Sequence, residues 1–406
     1  MRKIDTRHFV RATRSTGRDI NRRILLNLVH DHQPISRADI ARRMDIGRGM
    51  VTSLVDELLD DGAIYEGGTI DAPRGRRPQM LYVRTRDRLV VGADVRFSRT
   101  FLMLADFAGH AVAQESFETV VDPAGLVDAL ATRVRRLLDA HGASAACEGI
   151  GLVVPGMVDQ RTGRVLNSPQ LGWRDVEIRT LLAGATGLPV QIENAPLACA
   201  QAQLWLGQRG GGVPRDFAYL TVSDGVGVGV VVDGQVVRGS GFTAGEFGHV
   251  PLSLDGPHCL CGARGCLEAY TSNLATLSRY LGHELSPERT RALLQASGLT
   301  MGDLIARARS GDARAAASIG ETARYLGAGI ATVVNALNPA QIFVGGEITA
   351  VWDWVAPSVR HALAERALTA AAAATPIVAE APDAFPRLRG AAALVAAPAF
   401  AAPRVA

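Results

Sequence analysis

Along residues 18–32 (RDINRRILLNLVHDH), Ile20, Ile24, Leu25, Leu28 and Val29 recur at the three- and four-residue intervals of one helical face. A turn is expected at Gln33-Pro34. Ser36 then stands where an N-cap belongs, and Ser36-Arg37-Ala38-Asp39 is an S-x-x-D relative of the capping box. The short helix that follows turns Ala38, Ile40 and Ala41 inward and ends near Met44-Asp45. Ile46-Gly47 makes the turn, and from Arg48 to Asp61 the stripe Met50, Val51, Leu54, Val55, Leu58 and Leu59 predicts a third helix. Helix, short helix, tight turn, helix is the helix-turn-helix pattern. Two strands are expected at Ala63–Glu66 and Gln79–Val83, joined by a loop rich in Gly, Pro and Arg (residues 67–78), which completes a winged helix.

From Leu89 onward strands alternate with helices. The strand-like runs are Leu89–Asp94, Phe101–Asp106, Gly149–Val154, Val190–Glu193, Phe217–Val222, Gly227–Val232 and Gln341–Val344. Helical runs include Pro123–Ala140, Pro196–Leu206, Leu267–Leu281 and Ala315–Leu337. The predicted class is α/β. A charged linker at 84–88 separates a winged helix-turn-helix domain, 1–83, from a larger unit, 89–406, which is long for one sheet and so is expected to form two lobes around a cleft. The Ala- and Pro-rich tail beyond Ala397 is expected to fray. There is no uninterrupted apolar run of the eighteen or more residues that a membrane span requires, and the charged N-terminus lacks the apolar core of a secretory signal. A cytoplasmic protein is the expectation.

Composition changes the picture mainly through charge. At 48% hydrophobic and 20% charged, the 406-residue chain is neither disordered nor collagen-like. Its net charge of +3 hides an asymmetry: residues 1–88 carry 18 Lys and Arg against 12 Asp and Glu, and the remainder 25 against 28. A basic end on a mildly acidic body is the layout of a nucleic-acid-binding module attached to a domain with another task. Lys3 is the sole lysine, so the arginine bias runs through the whole chain and says little about recognition by itself.

The densest chemistry lies at Glu246-Phe247-Gly248-His249, followed by Cys259-Leu260-Cys261-Gly262-Ala263-Arg264-Gly265-Cys266-Leu267-Glu268. Three of the five cysteines fall within eight positions, and with His249 they supply the donor set of a closed tetrahedral Cys3His zinc site: His249, Cys259, Cys261 and Cys266. A disulfide framework is disfavoured by the compartment and by the odd number of crowded thiols. His258 is expected to be an exposed bystander, and Cys147 and Cys199 buried core thiols.

These motifs resemble the signature of the ROK family (repressors, open reading frames, sugar kinases), in particular its repressors of the N-acetylglucosamine or xylose type. The resemblance covers nearly the whole chain: residues 149–162 with Asn167-Ser168-Pro169 are similar to the family's sugar-side loop, Glu193-Asn194 to its Glu-Asn-Asp segment, and Asn338-Pro339 with residues 342–346 to its adenosine-side segment. It implies a two-lobed actin-like (ribonuclease-H-like) fold behind the winged helix. It further implies that Asn194, Glu246, His249 and Glu268 hydrogen-bond sugar hydroxyls, with His249 binding zinc through one ring nitrogen and facing the sugar with the other. Family kinases carry Asp-x-Gly-Gly-Thr after the first strand. Here the stretch is Asp94-Val95-Arg96-Phe97-Ser98, and Ala195 stands where the kinase base follows the Asn. Both losses point to a binder with no catalytic residues. The Gly-rich stretch 223–229 is equally readable as a tight hairpin.

At the other end, Arg48, Gly49, Thr52 and Ser53 lie on the outer face near the start of the recognition helix. The Arg48 fork suits guanine O6 and N7 or a backbone phosphate; both readings stand. Arg74, Arg76 and Arg77 form a stiff basic wing suited to the narrow minor groove of an A·T-rich flank. The expected whole is a sugar-responsive DNA-binding regulator, a repressor released by its sugar effector, acting as a homodimer or homotetramer on an inverted-repeat operator in double-stranded DNA. The alternative is an ATP-dependent sugar kinase that also binds DNA.

Overall fold

The computed structural model describes residues 15–69, 78–207, 213–283 and 287–401. The winged helix is built from α1 (Thr16–His32), β1 (Ile35–Ser36), α2 (Arg37–Met44), α3 (Arg48–Asp60), β2 (Ile64–Thr69) and β3 (Gln79–Val83). The capping box is complete: the Asp39 N–H donates to Ser36 Oγ at 3.2 Å, and the Asp39 carboxylate accepts from the Ser36 hydroxyl at 2.6 Å and from its N–H at 3.4 Å. Residues 35 and 36, which follow the turn expected at Gln33-Pro34, also pair with β3 as a third strand.

Leu25, Val29, Ile40, Val51, Leu54, Val55 and Leu58 are buried as their periodicity predicts. Ile24, Ala38 and Met50 are exposed instead, and Leu26 is buried. The shift on α1 has a physical cause, because the helix is covered on a second side by the C-terminal tail. Arg23 donates to the Pro398 and Ala401 carbonyls at 2.9 and 3.2 Å, Asn27 Nδ2 donates to the Phe400 carbonyl at 2.8 Å, and the His30 ring lies 4.9 Å from that of Phe400. Residues 23, 26, 27 and 30 form one helical stripe. The tail therefore does not fray at this point: Phe400, 4% exposed, belongs to the winged-helix core.

Two five-stranded sheets follow. The first contains β4 (Leu89–Val95), β5 (Arg99–Asp106), β6 (Ala111–Glu118), β7 (Cys147–Val154) and, beyond a small hairpin sheet of β8 (Met157–Asp159), β9 (Arg164–Ser168) and β10 (Trp173–Val176), β11 (Val190–Asn194). The second contains β12 (Phe217–Val222), β13 (Val226–Val232), β14 (Gln235–Val236), β15 (Gln341–Gly346) and β16 (Ile377–Ala379). Their orders, β11-β7-β4-β5-β6 and β14-β13-β12-β15-β16, are the same topology used twice: an antiparallel meander of three, then two parallel strands added beside the first. This is the two-lobed actin-like architecture, and no short sequence repeat betrays the duplication. The edge strand β6 escaped the hydrophobic reading because its outward face is polar and mostly exposed.

Helices α4 (Pro123–Ala140) and α5 (Ile178–Thr186) cover one face of the first sheet. On its other face lie α6 (Ala195–Leu206) and the C-terminal helix (Pro386–Ala396), which returns across the molecule to the first lobe. The single helix expected at Leu267–Leu281 is two, Leu267–Thr271 and Asn273–Leu281. Ser272 between them is extended, and its Oγ accepts the Ala275 N–H at 3.1 Å as a fresh N-cap. No helix among the described residues is long and apolar enough to cross a membrane.

Candidate functional site

His249 ends a one-turn helix at Phe247–His249, and the three cysteines follow on a loop that Gly262 (φ 95°) and Gly265 (φ 68°) turn through left-handed backbone. The ligand atoms of His249, Cys259, Cys261 and Cys266 all lie within 4.8 Å of one another. Cys259 Sγ is 3.7 Å from His249 Nδ1, and the Cys261 and Cys266 sulfurs are 3.8 Å apart. A tetrahedral ion with metal–sulfur bonds of about 2.3 Å separates its sulfurs by about 3.8 Å, so the donor set fits a metal in both chemistry and spacing. Burial and the neighbouring thiol push the Cys266 thiol up to about 11, and burial with the Glu268 charge pushes Cys259 up as well. A cation bound by thiols crowded like this would displace their protons to solvent, because the thiolate is the ligand. All five cysteines are free, Cys199 is buried, Cys147 is half-buried, and His258 is exposed beside Arg264.

Because Nδ1 of His249 faces the cysteines, Nε2 faces a cleft between the lobes, 3.8 Å from Glu246 Oε2. Asn194, Glu246, His249 and Glu268 all line that cleft. Glu268 is fixed at both oxygens: Oε2 accepts the Val226 N–H at 2.9 Å and Oε1 lies 3.7 Å from Cys259 Sγ. Burial raises the pKa of both Glu246 and Glu268, and the His249 charge opposes the rise. Asn194 caps α6, its Oδ1 accepting the Leu197 N–H at 3.2 Å, which leaves the amide nitrogen for the cleft. Next to it, Glu193 is 1% exposed and paired with Arg238 at 3.0 Å. At Gly225 a Cβ would come within 2.2 Å of Gln170 Nε2 and 2.7 Å of Glu268 Oε2, so a side chain there would fill the cleft.

At the end of β4, Asp94 is completely buried between two guanidiniums. Arg96 Nε donates to it at 2.7 Å, and Arg387 donates through Nε at 2.9 Å and Nη2 at 2.6 Å. Burial pushes the Asp94 carboxyl up, and the Arg387 and Arg96 charges outweigh it, leaving its pKa below the ordinary value. Arg96 also crosses the cleft to Glu347 of the second lobe at 2.6 Å, and the Phe97 N–H donates to Asp224 at 3.2 Å. The turn that would need two glycines to let phosphate approach its backbone is thus filled by two side chains tied to the opposite lobe. A groove of about 530 Å³ opens beside it. The Gly-rich stretch 223–229 is the β12–β13 hairpin, with Val222 opposite Val226. At Gly229 a Cβ would meet the Pro196 carbonyl at 2.2 Å, so the glycine lets the start of α6 lie directly on β13.

Residues 91–397 match the ROK family. The chain belongs to the ROK family. It is 29% identical over 358 residues to a xylose repressor of Caldicellulosiruptor bescii, covering 87% of this chain and 89% of the relative. A solved ROK-family transcriptional regulator, homologous to the E. coli Mlc protein, superposes with a TM-score of 0.75 at 25% identity over 95% of this chain and 97% of the other. A ROK glucokinase from Streptomyces griseus, solved with glucose and AMPPNP, gives 0.63 at 28% identity over 75% of this chain and 98% of the kinase. The regulator matches along nearly the whole length of the chain, whereas the kinase match leaves a quarter of it uncovered.

The ROK domain is physically continuous with the winged helix. Helix α6 starts at the cleft with Asn194 and ends near Trp205, whose ring stacks 6.2 Å from Phe400. The C-terminal helix starts at the same cleft with Arg387 and leads to Phe400. On α3, Arg48, Gly49, Thr52 and Ser53 are all exposed. Two of these side chains already have partners: the Thr52 hydroxyl donates to the Arg48 carbonyl at 3.0 Å, and Ser53 Oγ accepts from Arg18 at 2.8 Å. The Arg48 side chain has no hydrogen bond or ion pair among the described residues. Arg74, Arg76 and Arg77 lie outside the described residues.

Proposed function

We propose that the protein is a sugar-responsive transcriptional repressor whose cleft binds a sugar effector and whose winged helix binds double-stranded DNA. The observation that carries this reading is the pair of helices running from the cleft residues Asn194 and Arg387 to the Trp205–Phe400 contact inside the winged-helix core. A ligand that changes lobe closure moves the start of both helices, and their far ends carry the DNA-binding domain. Zinc, held by His249, Cys259, Cys261 and Cys266, fixes the loop that aims His249 and Glu268, leaving Nε2 of the imidazole for a sugar hydroxyl. Asn194, Glu246 and Glu268 supply the remaining donors and acceptors.

The reading assigns no catalytic residue. Arg96 fills the phosphate turn, and Ala195 offers no base to take a hydroxyl proton. The shared kinase architecture favours a second reading, a sugar kinase that also binds DNA. One experiment separates the two: DNA release and ADP formation are measured on the same protein over a panel of sugars. Release without ADP is the expected outcome; turnover that is lost in Glu246→Gln would establish the kinase.

On DNA, the unit 1–83 places α3 in the major groove, with Arg48 at its leading end and Gly49, Thr52 and Ser53 alongside, while Arg74, Arg76 and Arg77 follow the minor groove of an A·T-rich flank. The linker 84–88 joins this unit to the ROK unit 89–406, and a homodimer or homotetramer presents two winged helices to an inverted repeat. To move occupancy from 99:1 bound to 1:99, the effector must favour the released conformation by about 5.5 kcal/mol. Replacing Arg76 and Arg77 together by Ala is expected to weaken DNA binding and to lower the slope of log K against log salt by about two. A slope equal to that of the parent protein would remove the wing from the interface.

A further inference from the structure

The sulfurs of the cysteine loop are not equally protected. Cys259 and Cys266 are buried, at 5% and 1% exposed, whereas Cys261 is exposed. The backbone explains the difference. His258 and Arg264 pair as an antiparallel bridge, the Cys259 N–H donates to the Ala263 carbonyl at 2.8 Å, and the Gly262 N–H donates to the Cys259 carbonyl at 3.0 Å. Residues 258–264 are thus a tight hairpin with Cys261 at its tip, and Gly262 beside it has open space where a Cβ would lie. Cys266 sits at the base, bridged to Pro251, where the Leu252 N–H donates to the Gly265 carbonyl at 2.7 Å.

The loop also selects one pair of sulfurs. Those of Cys261 and Cys266 are 3.8 Å apart, a gap that a disulfide closes to about 2 Å. The Cys259 sulfur is turned elsewhere, 3.7 Å from both His249 Nδ1 and Glu268 Oε1. A bond between Cys259 and Cys261 would close over Leu260, whose side chain is packed against Phe97, Leu274 and Ala275. Cys199 lies on α6 and Cys147 at the start of β7, both outside the loop. Where a cell keeps its thiols reduced, a disulfide that does form is usually transient and serves sensing or catalysis.

We propose that Cys261 and Cys266 are a peroxide-sensing dithiol whose oxidation cuts the cleft off from its effector. The exposed Cys261 thiolate attacks one peroxide oxygen; the O–O bond breaks, an S–O bond forms, and the departing hydroxide takes a proton to become water. The Cys266 sulfur then attacks the sulfenic sulfur; the S–S bond forms, the S–O bond breaks, and the second oxygen leaves as water. The two sulfurs give up two electrons in all, and the peroxide accepts them. The bond takes two of the four donors from the cluster of His249, Cys259, Cys261 and Cys266, so a cation held by all four is released. His249 then loses the support that aims Nε2 into the cleft. The winged-helix core shares no residue with the loop, so the oxidised protein stays on DNA and no longer responds to sugar. The inference rests on the metal and sugar readings above and adds the regulation of that site.

Its test exposes the full-length, zinc-loaded protein to a small molar excess of hydrogen peroxide. Released zinc is followed with a chromogenic chelator, and disulfides are mapped by mass spectrometry after denaturation and alkylation. Glucose, xylose and N-acetylglucosamine are titrated calorimetrically before and after oxidation. A Cys261–Cys266 disulfide should form in step with zinc release, Cys147 and Cys199 should stay reduced, and dithiothreitol with added zinc should reverse both changes. Any sugar that binds the reduced protein should bind about tenfold or more weakly after oxidation, the equivalent of one lost hydrogen bond. Cys261→Ser should slow loss of the buried Cys266 thiol by about tenfold or more, and the parent protein's own peptide map keeps the test decisive if that variant folds poorly. A disulfide that includes Cys259 overturns the proposal, as does Cys261 carried on to sulfinic acid beside a reduced Cys266, or retention of both thiols under peroxide. Oxidised protein that binds sugar as tightly as the reduced form overturns the regulation. A parent protein without zinc overturns the metal reading, and failure of every sugar to bind overturns the sugar reading; in both cases the peptide map still decides the dithiol.

Discussion

Replacing Phe400 by Ala is expected to destabilise the winged helix by about 3–5 kcal/mol, the usual cost of deleting a buried aromatic ring. Whole domains are stable by only about 5–15 kcal/mol, and a winged helix is small, so the loss removes much of its margin. Phe400 is 4% exposed, packs near His30 and Trp205, and sits in one buried cluster with Leu25, Val29 and Leu54. The ROK domain has its own cores and should keep its melting transition. Calorimetry would show an early transition split from the main one, and DNA affinity would fall by orders of magnitude at 37 °C. An unsplit transition at the parent temperature would show that the tail merely rests on α1. Trp205→Ala is the milder companion: DNA binding should persist while its response to effector weakens, because the stack between α6 and the tail is lost and the fold is not.

The second large effect concerns the metal. If the cluster holds zinc, mass spectrometry should find one equivalent per chain in the parent protein and none in Cys266→Ser, and the variant should lower the melting temperature of the ROK domain by many degrees. Structural zinc contributes about 10–16 kcal/mol of apparent binding energy in small zinc peptides, and that energy is folding energy for the loop it closes. The same loop carries His249 and Glu268, and Glu268 also anchors the Val226 backbone at the start of β13. Loss of the ion should therefore remove effector binding along with stability. DNA binding by the winged helix should survive, because its core shares no residue with the cysteine loop. Wild-type zinc content in this variant would disprove the ligand set.

Much of the site was legible in the chain because its parts are local. The cysteine spacing with His249 brings four donor atoms together, and the motif residues Asn194, Glu246 and Glu268 do meet in one cleft. The capping box at Ser36 is local too, written in four consecutive residues and found intact. The residues that escaped notice depend on distant partners. Arg387 lies in an Ala-rich helix almost 300 positions from Asp94, and nothing near it in sequence marks it as facing the cleft. Ile24 and Met50 followed helical period yet lie outside, because the face a helix buries is chosen by what packs against it.

By itself the sequence determined the winged helix, the α/β class, the His249, Cys259, Cys261 and Cys266 cluster that could hold a metal, and the residues that replace the family kinases' glycines and Asp, since each depends on short-range periodicity or spacing. Only the tertiary structure decided that the C-terminal tail completes the DNA-binding core, that the same five-strand topology occurs twice, and that Arg96 and Arg387 share Asp94. Those outcomes come from contacts between residues far apart in the chain, where burial and charge pairing are settled by which surfaces meet and not by the pattern of any one segment.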